Sequence, residues 1–146
     1  MAKIFYVVIL VAILATAMFV FVNPSQRIKD SRDAKRIADV DTILSSVHAY
    51  IVDNKGALPT GLATNMLTQL LLGTTGGAAL TGNCKVAANA KVDLANPLVK
   101  YLKTIPTDPK GGTISATGYA IQVDANNLVT VTACNTEGKK VISASR

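Results

Sequence analysis

The sequence predicts an α+β protein: a long N-terminal helix, apolar in its first half and amphipathic in its second, packed against a small antiparallel sheet of about three strands. Three observations carry that reading. Ile4–Val22 runs nineteen residues without a charge. Ile37, Val40, Leu44, Val47 and Ile51, flanked by Ile43 and Tyr50, then recur in steps of three and four, one stripe of a helix. From Gly118 onward, short runs alternate Val, Ile or Leu with polar residues between turn signals, as strands with one buried face do.

As a helix, Ile4–Val22 spans roughly 28 Å, close to the hydrocarbon thickness of a bilayer. It has no polar stripe, so its whole circumference must be covered by lipid or by other protein. A chain of 146 residues has too small a core to surround it. A secretory signal would end in a small-x-small site, and Asn23-Pro24-Ser25-Gln26 is not one. The chain therefore divides into an apolar transmembrane or filament-core arm, residues 1–24, and a head, residues 25–146. Pro24 lacks a backbone N–H and clashes with the preceding turn, so a helix break is expected there, around Phe19–Pro24.

Gln26–Asp41 interleaves Arg27, Lys29, Arg32, Lys35 and Arg36 with Asp30, Asp33, Asp39 and Asp41. Such spacing predicts a solvated helix face, with Asp33 opposite Arg36, or pairing between subunits. Asn54-Lys55-Gly56 marks the stop of a helical element running from about residue 2 to 54. The group Met66, Leu67, Leu70, Leu71 and Leu72 reads as a short helix ended by Gly73, and Thr74–Gly77 as loop. A second short helix is expected between Asp93 and Thr104, with Pro97 in its first turn. Two prolines and two glycines make Ile105–Gly112 irregular. Strands follow at Gly118–Val123, Leu128–Ala133 and Val141–Ser143, with turns at Asp124–Asn127 and Thr136–Gly138.

Fifteen basic and nine acidic residues give a net charge of +6, a statement about encounter with anionic surfaces rather than about function. The two cysteines, Cys84 and Cys134, suit a disulfide outside the cytoplasm. No CxxC, HExxH or zinc spacing occurs, and the lone His48 sits beside the apolar stripe as a surface or packed side chain. Asp124, Asn126 and Asn127 are oxygen donors in one loop, a calcium candidate, although a hairpin turn explains them better. Lys100, Lys103, Lys110, Lys139, Lys140 and Arg146 make a nucleic-acid patch conceivable, but no aromatic interleaving supports stacking on bases. No nucleophile–base pair, carboxylate dyad or phosphate loop is present. The sequence points to a non-enzyme without cofactor or resident metal.

The order of these parts, with Asp33-Ala34-Lys35-Arg36 leading to Tyr50–Pro59 and then Tyr101-Leu102, Ile105-Pro106-Thr107-Asp108-Pro109 and Thr117-Gly118-Tyr119, resembles the type IV pilins and the pseudopilins of type II secretion. The resemblance implies a mature subunit whose basic leader has been removed and whose new N-terminus, Met1, is methylated. It implies a homo-oligomeric helical filament on the cell surface, inserted in the inner membrane before assembly and handled by a pilus assembly machinery. The family carries a glutamate a few residues into the mature chain, whereas no acid precedes Asp30 here. Physical chemistry points the same way. An apolar helix leaves lipid only when other apolar helices replace the lipid. The arms, through Ile4, Phe5, Val8, Leu10, Val11, Leu14, Phe19 and Phe21, would bundle into a filament core by a repeated heterologous contact. Five basic residues follow the span and by themselves would hold that side in the cytoplasm; the leader implied by the resemblance reverses this. The competing expectations are a pseudopilin and a single-span membrane-anchored binding module.

Overall fold

The computed structural model describes residues 2–74, 82–138 and 140–146, with the backbone alone for 19–22 and 88. It is an α+β molecule. Helix α1 covers Ala2–Val22 and α2 covers Pro24–Asp53. Asn23 alone separates them, at φ 27° and ψ 72°, and Pro24 opens the second helix. The interruption is thus one residue, with helical backbone continuing through Phe19–Val22. Proline is tolerated in a first helical turn, where its missing N–H has no intrahelical acceptor. The strain falls on the preceding residue. Asparagine is among the residues that best tolerate positive φ, and the Asn23 side chain accepts the Ser25 hydroxyl hydrogen at 2.8 Å.

The C-terminus of α2 is where the glycine signal places it. Lys55 and Gly56 take positive φ, and the Gly56 N–H reaches the Ile51 carbonyl at 2.8 Å, closing orphan carbonyls of the last turn. Among the described residues no helix is long and apolar enough to cross a membrane. The described side chains of α1 end at Met18, so the nineteen-residue apolar run is covered only in part.

The sheet differs from expectation. Among the described residues it has five strands in the order β2-β1-β3-β4-β5: β1 Gln69–Leu72, β2 Val86–Val92, β3 Tyr119–Val123, β4 Val129–Ala133 and β5 Ser143–Ser145. The last three form the expected antiparallel meander, with Ile121 opposite Val131 and Thr132 opposite Ser143, but the third strand is Ser143–Ser145 and not Val141–Ser143. The other two make the sheet mixed, since β1 runs antiparallel to β3 but parallel to β2. The leucines expected as a short helix are strand β1. Extended backbone lets Leu72 and Leu71 bury on opposite faces of the sheet, with β3 and β2 as pairing partners on either side. A single helical turn α3, Ala95–Leu98, with Pro97 inside it, is all that forms of the helix expected up to Thr104.

One face of the sheet packs on α2. Val40, Ile43, Leu44 and Val47 meet Tyr119, Ile121, Val123, Val129 and Val131, all buried. Ile37 was expected in this stripe but is 52% exposed. The opposite face carries a smaller cluster of Leu71, Cys84, Ala120 and Cys134.

Candidate functional site

Two parts of the molecule are chemically distinctive: the arm, and the root where α2 enters the head. In the arm, Ile4, Phe5, Val8, Leu10, Val11 and Leu14 are each more than half exposed. They lie all round the helix, and none belongs to the core clusters of the head. Phe19 and Phe21 side chains, and Met1, lie outside the described residues. Thr16, the lone hydroxyl beyond Tyr6, returns its hydrogen to the carbonyls of Ala12 and Ile13 and so presents little polarity to the surroundings.

At the root, the charged run is neither simply solvated nor left for another subunit. Arg36 is fully buried. Its Nε and Nη2 grip Asp108 through a fork at 2.6 and 3.0 Å, while Nη1 reaches Asp33 at 2.7 Å and Glu137 at 3.4 Å. Arg32 and Lys110 also bind Glu137, each at 3.1 Å. Asp33 in turn accepts the backbone N–H groups of Glu137 and Gly138 at 3.1 and 2.7 Å. Three carboxylates and three cations thus fasten two loops, one around Asp108 and one around Glu137, onto the third and fourth turns of α2. Bidentate, charge-assisted geometry is what makes burial of the guanidinium tolerable. No buried side-chain nitrogen or oxygen among the described residues lacks a partner.

The electrostatics follow from this packing. Burial pushes the Asp33 carboxyl up, but hydrogen bonds from the Glu137 and Gly138 backbone and from Arg36 outweigh it and hold the group below the usual range. Glu137 is likewise lowered: partial desolvation is overcome by Lys110 and Arg36, with Arg32 behind them. Desolvation disfavours the charge on Arg36, yet Asp108 and Asp33 raise its pKa further. Tyr119 is shifted upward by burial and by its hydrogen bond to Asp39 at 2.7 Å. Gly118, at φ 87°, lies so close that a Cβ there would strike the Asp108 side chain, so glycine lets the loop press the carboxylate inward.

Sequence reasoning found the Asp33–Arg36 pair and missed its burial. The legible signal was position: Arg36 stands one turn before Val40, on the same stripe as Ile43 and Val47. A cation at a core position requires a buried acid, and Asp108 between prolines 106 and 109 supplies it.

The remaining candidates resolve simply. Cys84 and Cys134 are joined as a disulfide, with Cα atoms 4.9 Å apart. Asp124 accepts the N–H groups of Asn126 and Leu128, both at 2.8 Å, and Asn127 takes φ 61°. This is a hairpin turn, and no acidic, histidine or cysteine cluster able to hold a metal occurs among the described residues. His48 bonds the Arg146 carbonyl at 2.8 Å. Of the cations considered for nucleic acid, Lys100 is paired with Asp53 at 2.7 Å and Lys110 with Glu137. Lys139 lies outside the described residues. No family model, curated protein or solved structure matches the chain.

Proposed function

We propose that the protein is a structural subunit that polymerises through its N-terminal arm into an extracellular, type IV pilus-like helical filament. The observation that carries this reading is the arm itself: a helix whose described apolar side chains are exposed and belong to neither core cluster of the head. Leaving such a surface in water is costly, roughly 25 cal/mol per Å², so it must be covered. Before assembly the uncharged run Ile4–Val22 lies in the inner membrane; in the filament, neighbouring arms replace the lipid. The head, closed by its buried ionic cluster and its disulfide, forms the outer layer. The resemblance of Tyr50–Pro59, Ile105–Pro109 and Thr117–Tyr119 to the type IV pilins supports the same assignment.

The test is electron microscopy and mass analysis of material sheared from cells that produce the full chain. Long surface fibres containing this subunit are expected. If the protein stays in the membrane fraction and no fibre forms, the chain is a single-span anchored module and the filament reading fails.

A further inference from the structure

Between Ile4 and Val22 the arm carries two polar side chains, Tyr6 and Thr16. Both are exposed, and their hydrogen-bonding states are complementary. Thr16 spends its one hydroxyl hydrogen on its own helix, towards the Ala12 and Ile13 carbonyls at 3.0 and 2.9 Å. Its oxygen is left as an acceptor. The Tyr6 phenol, 72% exposed, is a donor with no partner among the described residues. The two cannot meet within one chain, because the intervening helix holds them about 15 Å apart along its axis.

On the filament reading, on which this inference rests, the phenol changes surroundings. In the bilayer it is the third residue of the apolar run, at the depth where interfacial tyrosines meet headgroups. In a core of packed arms that supply is gone, and an enclosed hydroxyl without an acceptor bears its full desolvation cost. The interior backbone carbonyls of a neighbouring arm are held by that helix's own N–H groups. The Val20 carbonyl loses its usual donor at Pro24, but a helix carbonyl points along the axis, here at the break beside Asn23, rather than sideways at a neighbour. Tyr6 against Tyr6 needs arms at equal height, which a head-to-tail polymer with a rise per subunit does not provide. The Thr16 oxygen is what remains.

The geometry points to a hydrogen bond from the Tyr6 hydroxyl of one arm to the Thr16 oxygen of a second copy's arm, repeated at every subunit. It sets parallel neighbours about 15 Å out of step. The two side chains stand about 80° apart around the helix, so each arm gives Tyr6 to one neighbour and Thr16 to another. Such a contact is heterologous and does not close on itself. The apolar side chains around it attract at many staggers. This bond selects one, since every other stagger strands a buried donor.

The experiment uses full-length chains. Filament yield is measured for Tyr6→Phe, Thr16→Val and the double variant, with the amount of each chain in the membrane fraction as the control for insertion. Thr16→Val leaves the phenol without its acceptor, and yield should fall on the order of tenfold. Tyr6→Phe strands only an acceptor and should cost less. The double variant removes both polar groups and should recover towards wild type, which additive losses would not produce. In filaments carrying a photoreactive benzophenone amino acid at position 6, illumination should yield chain dimers joined between residue 6 and the turn around Thr16. Capture centred on residue 6 or on residues 20–22 of the second chain overturns the Tyr6–Thr16 bond and leaves the filament reading standing. Equal yields from all three variants, or a double variant no better than Thr16→Val, do the same. Failure of the wild-type chain to form filaments removes both.

Discussion

Arg36 concentrates the molecule's electrostatic stakes. Its guanidinium is wholly buried with a bidentate grip on Asp108, so Arg36→Ala abandons a buried carboxylate without its cation. Loss of one partner of such a pair costs about 3–5 kcal/mol, and denaturant unfolding should show that loss. Lys110→Ala removes only an exposed partner of Glu137, for which a loss under about 1 kcal/mol is expected. Equal effects would place the cluster's value in general charge balance instead of in the buried fork. The same residues fix the acid limb of stability. Asp33 and Glu137 have folded pKa values below their ordinary ones. Their contribution is complete above the unfolded carboxylate range, near about pH 4, and is lost as pH falls through the depressed folded values. Unfolding midpoints measured from pH 6 down to 2 should fall in that window, and the Glu137→Gln chain should lose less on acidification than wild type.

At the scale of elements, the covalent staple matters most where pattern is weakest. Strand β2 reads VAANAKV, with Asn89 at φ 64° and few β-branched side chains, so little in it favours extended pairing. Cys84 lies two residues before it and is tied to Cys134 at the end of β4, across a separation of 50 residues. Loop closure over that distance is worth about 4 kcal/mol in the chain-entropy account, against typical total stabilities of roughly 5–15 kcal/mol. Reduction, or paired Cys84→Ser and Cys134→Ser replacement, should therefore lower the midpoint of unfolding strongly and raise hydrogen exchange first in β1 and β2. Intact mass after alkylation without reductant should show no modified thiol; two modified thiols in native protein would exclude the bond.

For the molecule as a whole, the division between arm and head predicts independent behaviour. The stripe of α2 is consumed by the sheet, the ionic cluster closes the root at Arg32–Arg36, and among the described residues none of the head's core clusters includes a side chain of α1. A chain beginning at Ser25 should be soluble and monomeric by light scattering and should melt in one cooperative transition. Aggregation, or absence of a transition, would mean that the arm contributes to the fold and not only to assembly.

How much of this was legible varies with the range of the forces involved. The sequence by itself determined the two halves of the long helix, the break beside Pro24, the stop at Gly56 and the β3–β4 hairpin, while it placed the third strand two residues too early. Each rests on periodicity, a missing N–H or a turn signal within a few residues. It also determined which cysteines are available to pair, because there are only two. Only the tertiary structure decided that Leu70–Leu72 is a strand and that β2 joins it in parallel. Parallel pairing depends on a distant neighbour and leaves no hairpin signature. It decided as well that Arg36 lies in the core while Ile37 faces water. Both sit at the same end of one stripe, and the choice between them falls to Asp108, seventy-two residues away, whose carboxylate repays burial of a guanidinium where no apolar side chain could satisfy it.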